Sequence, residues 1–310
     1  MTEFHTGLAP KGFKEDFESF LFNIRAHRLT QTKKGWKEFH LIDRKKKKIL
    51  ASLAFHIQNE KARSPFRAPF GSFEFSGSLP IKDLIEFYDY VENELKKMNV
   101  SEINIIAPPE LYSPLQPVVT AILILNGYKV LAAEHSSCIL VDEQPLSSKV
   151  TYDKRKKLRQ ISKINLEFYE LGIHKLKDAY DLISQSRKNK KQSLSMSFDQ
   201  LSKTVKIFPQ SFFVFGVWLN GNLISACITI KVNPSVVYLF YGAHDSRYNK
   251  ISPFVFLLVH LYQWCFTHKI RMIDLGTSML NGKVNASLID FKIRMGSTIT
   301  NKFTFQKSLA

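Results

Sequence analysis

The chain has 310 residues, 45% hydrophobic, 23% charged and 13% aromatic, which excludes a disordered or low-complexity protein and leaves room for two domains of ordinary size. Its formal net charge of +17 favours an acidic partner: a nucleotide cofactor, RNA or DNA, or an anionic membrane surface. Cys138, Cys227 and Cys265 lie far apart in apolar contexts, which excludes a disulfide framework or a zinc pattern and points to a reducing compartment.

The opening MTEFHTGLAPKGF has no charged-then-apolar leader. EFHLIDRKKKKILASLAFHI (38–57) reads as a strand, a polar turn and a strand, with Arg44–Lys48 as a solvated turn. SPFRAPFGSFEF (64–75) follows. In PIKDLIEFYDYVENELKKMN (80–99), Leu84, Ile85, Tyr88, Val91 and Leu95 fall at helical spacing. Then come a strand, EINIIAP (102–108), a helix ending in glycine, PVVTAILILNGY (117–128), and a closing strand, CILVD (138–142).

DEQPLSSK (142–149) has the polar, Pro/Ser-rich texture of a linker. Helices are expected over 154–162 and 175–190. The earlier order then returns. FVFGVWLNGNLISACITI (213–230) is a hairpin turning on Asn220-Gly221. SVVYLFYG (235–242), a helix over 253–268, the strand RMIDLG (271–276), the helix NASLIDFKIRMGS (285–297) and the closing strand NKFTFQK (301–307) follow. The offset is about 170 residues by direct count, six elements running. The pattern predicts a duplicated mixed α/β domain, 1–145 and 150–310. The helix 253–268 is too short to span a bilayer. A soluble, cytoplasmic protein is expected.

Between the strand ending at Gly242 and the helix starting at Pro253 lies a basic, hydroxyl-bearing turn. Ser252 is expected to cap the helix, with Pro253 at its first position. Arg247, Asn249, Lys250 and Ser252 also converge on the positive end of the helix, which suits an anionic ligand. KRKKLRQISK (154–163) is a second basic feature: Leu158 and Ile161 face inward, and Lys154, Arg155, Lys156, Lys157 and Arg159 form an exposed surface able to track an RNA backbone. No P-loop, dinucleotide fingerprint, nucleophile elbow or metal-ligand cluster is present in the sequence.

The element order resembles the GNAT acyltransferase domain, and two in tandem resemble the Fem peptidyltransferase group. The likeness is carried by RKKLRQISKINLEFYE (155–170), SRYNKISPFVFLL (246–258) and the Asp-x-Gly, Asn and Phe-Lys positions of 274–297. It implies a fold of two tandem GNAT-like domains, the first without a donor site and the second with one. It further implies a donor between two splayed strands, acyl-CoA with acetyl-CoA first, and no metal. Backbone N–H groups of Tyr241, Gly242 and Ala243 would face the acyl oxygen. Arg247-Tyr248-Asn249-Lys250-Ile251-Ser252 matches the phosphate-wrapping loop, with Lys250 in place of its first glycine and Ser252 in place of the second small residue. Asp274 and His244 are the candidate bases. Thr277, Ser278, Asn285 and Lys292 are candidates on the acceptor side. Ordinary roles stand beside these: a turn carboxylate for Asp274, a loop histidine for His244, a helix cap for Asn285, a solvated basic face for Lys292.

The resulting expectation is an N-acyltransferase working by direct attack of an amine acceptor, a small molecule or a peptidoglycan precursor. Two alternatives stay open: an aminoacyl-tRNA-dependent, Fem-like peptidyltransferase, and a catalytically inactive duplicated domain that serves as a binding module. A DNA partner is not expected, and nothing in the sequence specifies an oligomeric state.

Overall fold

The structure, a computed structural model, describes residues 2–280 and 282–309. In chain order the elements are β1 (Thr2–Thr6), β2 (Lys14–Glu15), α1 (Arg25–Gln31), β3 (Trp36–Asp43), β4 (Lys48–Gln58), β5 (Lys61–Ser64), β6 (Glu74–Phe75), α2 (Ile81–Lys97), β7 (Glu102–Ile106), α3 (Gln116–Leu125) and β8 (Lys129–Leu140). They continue with α4 (Leu146–Lys149), α5 (Tyr152–Ile161), β9 (Glu167–Leu171), α6 (Leu176–Asn189), α7 (Phe198–Ile207), β10 (Phe212–Leu219), β11 (Asn222–Asn233) and β12 (Val236–His244). The last are α8 (Pro253–Thr267), β13 (Met272–Thr277), β14 (Met279–Leu280), β15 (Lys283–Val284), α9 (Ala286–Arg294) and β16 (Thr298–Ser308). The chain forms two compact units, residues 1–134 with 300–310, and residues 135–299.

In the first unit the strand order is β1-β3-β4-β5-β7-β16, with β2 and β6 also pairing with β4. The expected hairpin is present as antiparallel β3 and β4, and β5 runs parallel to β7. Phe39, Leu41, Leu53 and Phe55 of the hairpin pack on Leu84, Phe87, Tyr88, Val91 and Leu95 of α2. Ile85, expected in that stripe, is 38% exposed, and Phe87 takes the inward place at 0%. Burying one such side chain contributes roughly 1.5–3 kcal/mol.

In the second unit the order is β9-β10-β11-β12-β13-β8. Antiparallel β10 and β11 form the second hairpin, with Asn220 and Gly221 at φ 50° and 77°, as a tight hairpin turn needs. β12 runs antiparallel to β11 and parallel to β13. Val255, Leu257, Leu258, Leu261, Tyr262 and Cys265 of α8 pack on Phe215, Val217, Cys227, Val237 and Ile273. The two hairpins are therefore topologically equivalent, and the main sheet of each unit follows a path of six strands in the same order. The helix α7 was not anticipated.

The closing strands differ from expectation. The sequence pattern places residues 138–142 and 301–307 each in the half that precedes it. Instead, Ser136–Leu140 pair with β13 of the second unit, and Thr304–Ser308 pair antiparallel with β7 of the first. The compact units accordingly depart from boundaries at 145 and 150.

The units also differ beyond their parallel pair. In the first, the chain leaves after Ser64 and returns as β6, and the Gly71 N–H donates to the Ile106 carbonyl at 2.9 Å. Phe70 packs edge-on against Phe20, Phe22 and Tyr112, with ring centroids 5.1–5.3 Å apart. The chain's own aromatic residues fill the ground beside the end of β7.

Candidate active site

In the second unit, β12 and β13 pair only through Val236–Met272, Val237–Ile273 and Tyr238–Asp274. β12 then continues to His244 along β11 alone, while Thr277 of β13 pairs with Ser136 of β8. The two parallel strands part after Tyr238 and Asp274.

A bulge shapes the open side of β12. Tyr241 pairs with Ile228 and Leu239 with Thr229, so Phe240 is an extra residue. Val237 and Leu239 belong to the core against α8. Simple alternation would send Tyr241 to that face as well. The bulge turns it to the opposite face and gives the α8 side to Gly242. A Cβ at Gly242 would lie 2.7 Å from the ring of Phe254, which explains the glycine. Tyr241 thus shares a face with Tyr238, and through strand pairing with Asp274 and Cys138.

Asp274 is 4% exposed. Its Oδ1 accepts the Gly276 N–H at 2.7 Å and the Ser136 hydroxyl at 3.0 Å. Gly276, at φ 73°, allows the turn and lies under the ring of Tyr238. Lys292 departs from expectation: it is 5% exposed, and its Nζ donates to the Gly276 and Thr277 carbonyls at 2.7 and 3.0 Å. Those strand-end carbonyls need donors, and α9 brings the lysine to them. Burial pushes the Lys292 ammonium down to about 8, opposed by the Asp274 charge. Ser278 is fully buried, and its Oγ has no hydrogen-bond partner among the described residues. Its carbonyl accepts the Asn285 N–H at 2.8 Å, while the Asn285 side chain caps α9 by accepting from Leu288 N. Ser136 and Cys138 were missed by sequence reasoning, because only strand pairing brings them beside Asp274. Burial raises the Cys138 thiol well above its usual range.

The turn between β12 and α8 differs from expectation. Ser252 occupies the position before α8 but sits at φ 49°, ψ 56°, without a capping bond. It closes a 3-10 turn, its N–H donating to the Asn249 carbonyl at 3.2 Å, whereas a cap needs extended backbone. Arg247 forks onto Asp245, with Nη2 2.6 Å and Nε 2.9 Å from Oδ2. His244 Nε2 lies 2.7 Å from Asn249 Oδ1. Lys250 and Asn249 are exposed, and the Lys250 carbonyl accepts from the ammonium of Lys157 on α5. Of the five basic residues on that helix, Arg155, Lys156 and Arg159 are exposed. Lys157 is half-buried, and so is Lys154, whose ammonium lies 4.9 Å over the ring of Phe291. Among the described residues no group of three His, Cys, Asp or Glu could hold a metal ion, and no helix is long and apolar enough to cross a membrane.

A hairpin, a bulged third strand, a helix and a parallel strand that parts from the third define the class: this is the GNAT fold. Residues 147–283 match the family profile described as Acetyltransferase (GNAT) domain. The fold of the chain is that of the crystal structure of FemX, at 13% identity and a TM-score of 0.71, over 93% of this chain and 92% of that one. It is similar to L-PGS from Bacillus licheniformis, at 11% identity and a TM-score of 0.57, over 84% and 82%. It is similar too to a tandem GNAT protein from the clavulanic acid biosynthesis pathway, at 10% identity and a TM-score of 0.50, over 89% and 83%. At these identities the likeness concerns the fold. No curated protein matches the sequence.

Proposed function

We propose that the second unit is the catalytic unit of an N-acyltransferase that passes an acyl group from acyl-CoA, acetyl-CoA first among donors, to an amine acceptor by direct attack. The observation that carries the reading is the parting of β12 and β13 after Tyr238 and Asp274. An amide-bearing chain can take a strand's place along such an edge. The fit to a diphosphate is narrower: no glycine lies in 247–252, and of the two exposed cations at the turn, Arg247 is engaged by Asp245. In the first unit the segment 65–73 takes up the corresponding ground, so that unit is assigned no donor.

The two candidate bases differ in setting. His244, at the far end of β12, is tied to Asn249. Asp274 stands at the vertex. In this reading Asp274 accepts the proton of the attacking amine, held in place by Ser136 and Gly276. Backbone N–H groups near Tyr241, Gly242 and Ala243 receive the oxygen as charge develops on it, and Lys292 adds a fixed positive charge at the end of β13. The C–N bond forms, the thioester C–S bond breaks, and the thiolate leaves. Asp274→Asn should lower kcat by about 10²–10⁴ with the donor KM little changed. CoA at about 100 times its Kd should add about 2.7 kcal/mol to stability. The absence of any thermal shift with millimolar CoA or acyl-CoA would remove this donor.

One observation favours an aminoacyl-tRNA donor as the second reading. The bond from Lys157 to the Lys250 carbonyl joins the cationic face of α5 to the turn before α8. Arg155, Lys156, Arg159 and Lys250 then form one surface. Charge reversal at Arg155, Lys156 and Arg159 should abolish salt-sensitive RNA binding without unfolding the protein.

A further inference from the structure

We infer that Ser193–Met196 is a strap across the acceptor side of the gap, and that the Tyr241 hydroxyl is its latch. The latch stands on geometry alone; its kinetic consequence rests on the acyl-transfer reading above.

Both ends of the α6–α7 connection are fixed. At the first, Lys191 is left-handed at φ 54°, the Gln192 N–H donates to the Arg187 carbonyl at 2.9 Å, and Arg187 Nη1 donates to Gln192 Oε1 at 2.6 Å. At the second, Ser197 and Gln200 form a reciprocal cap on α7. Only Ser193–Met196 lie between, and two tyrosines hold them. The Tyr241 hydroxyl lies 2.6 Å from Ser195 Oγ and accepts the Met196 N–H at 3.0 Å. The Tyr180 hydroxyl of α6 donates to the Met196 carbonyl at 3.0 Å.

The position of the latch gives it meaning. Tyr241 is 6% exposed, three residues past the point where β12 leaves β13. The bulge at Phe240 is what places it on the Asp274 face rather than on the α8 face. The strap is therefore tied to the part of β12 that has a free edge, on the face where Asp274 lies. An acceptor reaching Asp274 passes the strap; a donor arriving from the α8 side does not. A shift of the open strand on donor entry is carried to the strap by the Tyr241 hydroxyl.

The test is limited trypsin digestion of the free protein, because Lys190 and Lys191 at the edge of the strap are exposed. Cleavage of a transiently opened segment follows its open population. Tyr241→Phe, checked for folding by its melting curve, should be cut after Lys190 or Lys191 about tenfold faster than wild type, and Ser195→Ala by a smaller factor. Unchanged cleavage in both variants overturns the latch, whether or not the protein transfers acyl groups. In turnover with an acyl-CoA and an amine, Tyr241→Phe should raise the acceptor KM more than the donor KM. A rise in the donor KM alone would overturn the assignment of the strap to the acceptor side. Failure of wild type to turn over any acyl-CoA would count against the acyl-transfer reading and leave the digestion result to decide the latch.

Discussion

Lys307 of the last strand sets its ammonium 2.8 and 2.7 Å from the two oxygens of Glu92 on α2, across 215 positions of sequence. The same carboxylate accepts the Tyr88 hydroxyl, and the ammonium lies 5.4 Å from the centre of the Tyr128 ring. The pair pins β16 to the first unit. Lys307→Met leaves Glu92 mostly buried without its cation and should cost about 3 kcal/mol. Adding Glu92→Gln should recover part of that loss, since the two sites share one interaction. Urea unfolding of the single and double variants measures both terms.

Lys292 makes stability depend on pH above neutrality. Its folded value, about 8, lies below the ordinary lysine value of 10.5. Between those values the unfolded chain binds the proton more tightly, so stability rises with pH. The cost of charging the buried ammonium is complete below about pH 8 and gone above about 10.5, roughly 3 kcal/mol in all. Wild type and Lys292→Met, compared by urea midpoint from pH 7 to 10.5, should differ in slope over that range. Parallel curves would show that the ammonium is not desolvated.

Glu74 acts in the opposite sense. It is buried in the first unit and accepts the Phe20 N–H at 2.6 Å. Burial pushes its carboxyl up to about 8, against the pull of Phe20 and Asn23. The folded state then holds a proton that the unfolded chain releases above about 4.5, so stability is present at low pH and lost as pH rises towards 8. Glu74→Gln keeps the acceptor oxygen and removes the titration. Wild type should lose up to about 1.4 kcal/mol per pH unit relative to Glu74→Gln across that window.

Ser252 should respond as a strained turn residue and not as a cap. Ser252→Ala removes no capping bond and should change stability by no more than about 0.5 kcal/mol. Ser252→Gly should stabilise by about 1 kcal/mol, because glycine adopts the left-handed backbone without the cost a side chain brings. Thermal unfolding of the two variants decides between strain and capping.

These cases show what the sequence carried. Periodicity and turn residues are local, so both hairpins, α2, α8 and the repeat were legible; so was Asn285 as a cap. Lys292 was not, because a lysine on a short amphipathic helix looks the same whether that face meets water or two strand-end carbonyls. Ser252 misled because Ser-Pro before an apolar run is a helix start, and only the preceding 3-10 turn reverses its backbone. The bulge at Phe240 left no mark in "VVYLFYG", whose apolar residues suit either face. Ser136 and Cys138 come beside Asp274 through pairing with β13, a relationship between segments some 140 residues apart.

The partner strand of β7 has a consequence for synthesis. Residues 102–106 leave the ribosome about 200 residues before residues 304–308, with which they pair. At about 5–20 residues per second, β7 waits some 10–40 s for its neighbour. The second unit, 135–299, is complete in the nascent chain by then. The amino-terminal unit is thus completed only after the second one, and until residues 304–308 arrive the first unit carries an exposed strand edge while the gap-bearing unit is already whole.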